Sequence, residues 1–163
     1  MSALIFYEIE RSFNEYLNDN LSTQSGEVIK YEFPLDTIGS HTYSVEFISD
    51  TPIPVTGRSI AAGSRGRFIE SLAQVDVFRL PTAAGEADVA GAKKMISRVT
   101  NLFKGSHFIP LKTYGDTPTG ATVGTVAGAM RIDEGDAAKV AFDPNEQVRR
   151  YMQTLTITTK ETF

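Results

Sequence analysis

The sequence predicts an α+β domain: a mostly antiparallel mixed sheet with two helices packed on one face, carrying a long mobile hairpin loop and a long Gly/Thr-rich insertion. Three observations lead there. Two stretches, Ala3–Asn20 and the one that follows Gly85, repeat apolar residues at helical spacing. Segments around Ile29, Val45, Val77 and Ile157 alternate apolar and polar residues with the period of two that a strand needs. With 163 residues and a formal net charge of −4, a single domain over residues 1–163 is the simplest organisation, and its core needs no covalent staples.

Ala3–Asn20 is expected as the first helix, with Ser2 as N-cap and Ile5, Ile9, Phe13 and Tyr16 or Leu17 as its buried stripe. Glu8, Arg11, Asn14 and Asn18 then occupy the outer face. A lone helix of this length is marginal in water, so the stripe must pack, most simply on a sheet. After a polar loop, Val28–Phe33 reads as a strand with Ile29, Tyr31 and Phe33 on one face, and Pro34 ends it. Thr42–Ile48 follows, with Tyr43, Val45 and Phe47 alternating against Thr42, Ser44 and Glu46. Asp50–Gly66 contains Pro52, Pro54 and many small polar residues, and is expected as the flexible tip of a hairpin spanning Val45–Val77. The returning strand, Arg67–Leu80, is expected to bulge near Ser71, because Phe68, Ile69 and Leu72 break alternation with Val75 and Val77.

Within Gln74–Leu80, Val75 and Val77 share one face while Asp76 and Phe78 share the other. That pattern suits a strand with one side on a core and the other partly solvated. Pro81 stops the pairing. The second helix starts after Gly85, with Glu86 and Asp88 in its first turn, where carboxylates complement the positive end of the dipole. Val89, Ala92, Met95 or Ile96, Val99 and Leu102 or Phe103 form its stripe, and Gly105 closes it in the left-handed conformation. Phe108–Leu111 reads as a short strand. Lys112–Asn145, studded with glycines, is read as largely irregular, with room for one strand between Val123 and Ile132; the mobile part is drawn at residues 112–143. Arg149–Thr159 closes the chain as a strand, with Tyr151, Leu155 and Ile157 inward and Thr154, Thr156 and Thr158 outward.

The absence of cysteine excludes disulfides and thiolate zinc sites and fits a reducing cytoplasm. No signal peptide or membrane span is expected, since Glu8 and Glu10 interrupt the short apolar start. Mild acidity disfavours a dedicated nucleic-acid binder. Chemistry has little to draw on. The two histidines, His41 and His107, fall in predicted turns without a nucleophile-elbow pattern, so no catalytic residue is assigned. Asp133-Glu134-Gly135-Asp136 lacks the ligand spacing of a calcium loop and reads as a solvated acidic turn. Neither Gly63–Gly66 nor Gly120–Gly128 ends in the Lys-Ser/Thr of a phosphate loop. No metal or cofactor is therefore expected.

Arg58, Arg65 and Arg67 form the one local basic concentration. Two readings of it stand side by side. It is a solvated hairpin tip, or it is an arm whose guanidinium forks order against an acidic surface of a partner.

The central segment, from Gln74-Val75-Asp76-Val77 through the Gly85 turn to a helix ending Asn101-Leu102-Phe103, resembles the tail terminator family of long-tailed bacteriophages. The N-terminal helix and the Thr-rich strand Tyr151–Thr159 fall where that family would put them; the long insertion departs from it. The resemblance implies a structural virion protein, not an enzyme, made in the host cytoplasm. It would assemble as a hexameric ring on the head-proximal end of the tail tube, stop tube growth and offer a docking surface to the neck. Its implied partners are its own copies, the tube protein and a head-completion protein, with DNA only passing through the lumen. Two other readings compete with it: a neck protein of the same virion, and a small enzyme betrayed by a pocket holding His41 or His107 beside a carboxylate.

Overall fold

The computed structural model describes residues 4–32, 38–54, 66–105, 107–115, 124–140 and 147–162. Eight elements follow in chain order: α1 (Ile5–Asn20), β1 (Glu27–Lys30), β2 (His41–Pro54), β3 (Gly66–Arg79), α2 (Val89–Leu102), β4 (His107–Thr113), β5 (Thr125–Val140) and β6 (Arg149–Thr162). The strands form one six-stranded sheet in the order β1-β2-β3-β6-β5-β4. Only β1 joins in parallel, on β2; the remaining pairs are antiparallel. This is the predicted α+β fold.

Both helices cover the same side of the sheet. Ile5, Ile9, Phe13 and Leu17 of α1 and Met95, Ile96 and Val99 of α2 join Tyr43, Val45, Val75, Val77, Leu155 and Ile157 in one core. Phe13 stacks on Phe103 at 5.5 Å and meets Phe47 edge-on at 5.6 Å, so an aromatic seam binds the helices to each other and to β2.

Alternation sets which side chains enter that core. On β3, Ile69, Ser71, Ala73, Val75 and Val77 are all buried, an unbroken period of two. The expected bulge near Ser71 instead lies on the partner strand: β2 shifts register between Phe47 and Ser49, and the extra residue, Ile48, is exposed. Phe68 and Leu72 simply point to the opposite face. The outer face at the other end of β3 is not solvated as expected, since Asp76 and Phe78 are fully buried there.

Several boundaries move. α1 begins at Ile5 behind Leu4, which offers no side-chain cap, and Ser2 lies outside the described residues. Glu8, expected outside, is buried. β1 is short; Tyr31 is exposed, and Phe33 and Pro34 lie outside the described residues. α2 takes Asp88 as N-cap, its carboxylate accepting from the Gly91 N–H at 2.9 Å, so Glu86 precedes the helix. Val89 is largely exposed rather than part of the stripe. Gly85 and Gly105 adopt φ of 78° and 70°, the left-handed values that favour glycine at these two ends.

The largest correction concerns the insertion. Thr125–Val140 is a continuous strand, β5, between β4 and β6. Its glycines do not make it a loop: Gly128 pairs with Leu111, and Gly135 sits where the register shifts between Glu134 and Ala137. A Cβ at Gly135 would lie 2.9 Å from the Thr154 carbonyl oxygen, so the bulge needs a residue without one. Likewise Asp50–Pro54 continues β2 rather than starting the hairpin tip.

Candidate functional site

Among the three arginines of the predicted arm, Arg58 and Arg65 lie outside the described residues. Arg67 opens β3 and pairs through Nε with Glu161 of β6 at 2.6 Å. The Glu161 side chain is almost fully buried, so this pair staples the far end of the β3–β6 ladder. The Arg67 side chain nonetheless stays 34% exposed.

Around that end the sheet runs on as a projecting blade. Pairing of β2 with β1 stops at Ser44, while β2 continues with β3 as far as Pro54 opposite Arg67. All residues from Ile48 to Pro54 are exposed. Pro52 and Pro54 pair with Ile69 and Arg67, which they can do only with their nitrogens turned away from β3. From Pro52 onward the outward side of β2 thereby lacks these two donors. β4, the opposite edge strand, carries Pro110 in its middle. On the side away from the helices, Ile53 sits beside Phe68, and Phe108 on β4 is 66% exposed. Exposed apolar side chains thus lie on a face bordered by two proline-bearing stretches of edge, β2 beyond Ser44 and β4, that resist strand addition.

The two histidines are both engaged. His41 Nδ1 accepts the Leu80 N–H at 3.1 Å, which requires a neutral ring. Burial and then the nearby Arg79 charge lower its pKa, against opposing pulls from Glu27 and Asp88. His107 Nε2 lies 2.7 Å from the Tyr16 hydroxyl, between α1 and β4. Close to that contact, a cleft of about 280 Å³ is lined by Ser12, Glu15, Tyr16, Asn20 and Lys112 among others. Lys112 pairs with Glu15, whose other oxygen accepts from the Tyr114 hydroxyl at 2.6 Å. Arg11 lies over the Tyr114 ring at 4.0 Å. The Tyr114 hydroxyl is pushed up to about 12 by burial and by its bond to Glu15. These contacts lock α1 onto β4.

Sequence reasoning missed two buried charge clusters. Glu27, assigned to a polar loop, has a fully buried carboxylate. It accepts from Arg98 of α2 at 2.7 and 2.8 Å, from the Tyr43 hydroxyl at 3.0 Å and from the Gln24 N–H at 3.1 Å. Arg79 of β3 stands 3.6 Å away and also binds the Asp88 N-cap at 2.8 Å. Burial works against the Glu27 charge, but the Gln24 N–H and Arg98 outweigh it and its pKa falls. Tyr43 is pushed up to about 12, chiefly by burial. On the opposite face, Arg150 binds buried Asp76 at 2.7 Å and lies 5.6 Å from the Phe78 ring. No periodicity announces such pairs, because their members come from separate elements. The one visible signal was Asp76 interrupting an otherwise apolar strand.

Among the described residues, no three His, Asp or Glu side chains converge into a group able to hold a metal ion. The acidic run Asp133–Asp136 is part of β5, where Asp133 pairs with Arg131 at 2.8 Å and Glu134 accepts from the Gly105 N–H. No known protein-family model and no curated protein matches the chain.

Proposed function

We propose that this chain is a structural virion protein that closes the head-proximal end of a phage tail tube as a hexameric ring. The resemblance of Gln74–Phe103 to tail terminators supplies the role. The observation that carries the mechanism is the projecting blade, with Ile53, Phe68 and Phe108 exposed on a sheet whose edge strands hold Pro52, Pro54 and Pro110. Exposed apolar side chains favour association, while prolines on the free part of β2 and on β4 oppose sheet growth there. Association that is favourable but cannot propagate by strand addition suits a closed ring. Such a ring acts by shape: one side fits the tube, and the other presents no copy of the tube subunit's own interface.

Phe78, which with Phe33 and the Thr-rich last strand is a sequence candidate for lying beneath a neighbour, is completely buried by its own chain. Phe33 lies outside the described residues. The Thr51–Gly66 arm, whose described part lies in the blade, and the 112–143 insertion would supply the axial contacts, and the paired helices and sheet edges the lateral ring contacts. Light scattering with negative-stain imaging of purified protein, alone and with tail tubes, tests the reading. Rings that seat on tube ends support it, and a monomer indifferent to tubes contradicts it.

A further inference from the structure

We propose that β1 is a releasable strand, held on the sheet by a buried charge latch rather than by apolar packing, and that its release opens the β2 edge from His41 onward. The strand is four residues long and touches only β2 within the sheet. Val28 and Lys30 are exposed, and only Ile29 packs partly against the core. Exposed chain flanks it on both sides, at Ser22–Gly26 and at Tyr31 and Glu32. Such a segment buries too little apolar surface to hold itself in place.

What fastens it is Glu27. That single carboxylate gathers Arg98 from α2, Arg79 from β3, the Tyr43 hydroxyl from β2 and the Gln24 N–H. Two lighter tethers assist: the Ser44 hydroxyl donates to the Glu32 carbonyl at 2.6 Å, and the Tyr31 hydroxyl to the Asn14 carbonyl at 3.4 Å. Buried ion pairs add less net stability than apolar contacts of equal volume, and their best-attested use is to fix register or to switch. Here the register fixed is Glu27 opposite His41. With β1 in place, the β2 edge is covered as far as Ser44 and, among the described residues, unpaired beyond it. With β1 released, the unpaired edge runs from His41 to Pro52, where the first missing donor ends it. The strand therefore acts as a removable cover over the donor-bearing part of that edge.

The test is amide hydrogen exchange on the full chain, and it does not depend on rings or tubes. In the wild-type protein, amides of Val28–Lys30 should exchange at least about 100-fold faster than those of β3 and β6, through an opening that leaves the core closed. Glu27→Gln should speed β1 exchange a further ~10-fold or more while β3 and β6 hold their rates. Should that variant fail to fold, the pair Val28→Cys with Thr42→Cys, which face each other in the register, provides the second arm. Their disulfide should slow β1 exchange to the core rate, and its reduction should restore the fast rate. Equal protection of β1, β3 and β6 in the wild type, or a latch variant that accelerates all three together, would overturn the proposal.

Discussion

At the residue scale, the firmest consequences come from side chains with no room or no water. A Cβ at Gly135 meets the Thr154 side chain and lies 2.9 Å from its carbonyl oxygen. Gly135→Ala should therefore cost about 1–3 kcal/mol in denaturant unfolding, as overpacked sites do. Asp76 and Arg150 form a buried pair, so Asp76→Asn should lose roughly 3–5 kcal/mol, whereas replacing both partners with apolar residues should recover much of it. A single mutant as stable as the wild type would show that water reaches the pair. His41 gives a pH signature. Its folded-state pKa is depressed, so the unfolded chain binds the proton more readily. Stability is then full above the ordinary histidine value of about 6.5 and declines as pH falls from there through the folded value. His41→Gln should flatten that part of the stability–pH curve in thermal melts taken across it.

At the element scale, the sheet's edges decide how the molecule meets others. Pro52→Val with Pro54→Val restores two outward N–H groups on β2, and the variant should form strand-paired aggregates visible as a rising scattering baseline. If it stays as soluble as the parent, the prolines do not guard the edge. Elements with a strong period were legible in the sequence: both helices, the β2–β3 hairpin and the last strand stand where the alternation put them. β5 was not legible, because Gly124, Gly128 and Gly135 carry the usual mark of a loop. Here glycine instead answers tight approaches, of Tyr114 to Gly124 and of Thr154 to Gly135. Pro52 and Pro54 misled in the same way, because a free edge tolerates what a central strand cannot. The charge clusters around Glu27 and Asp76 stayed hidden because pairing between distant segments leaves no periodic trace. Of the predicted arm, only Arg67 falls on described residues, and its partner Glu161 lay far along the chain.

At the scale of the whole molecule, the sheet face away from the helices is buried around Asp76 and Phe78 but leaves Ile53 and Phe68 exposed on the blade. Phe68→Asp with Ile53→Asp places charge in the blade without touching the core, so the variant should melt within a few degrees of the parent. On the proposed function it should also fail to form rings. Arg58→Ala with Arg65→Ala, leaving the Arg67–Glu161 staple intact, should fold normally and lose attachment to tubes. Unchanged attachment would return those arginines to an ordinary solvated tip. The protein's proposed work is to halt a polymer by geometry, with copies that satisfy one another around a circle. Light scattering on the purified chain, followed by negative-stain imaging with isolated tail tubes, addresses that most directly. The expected result is a single closed assembly of uniform subunit number found at tube ends; a monodisperse monomer that leaves tube ends bare and growing would contradict it.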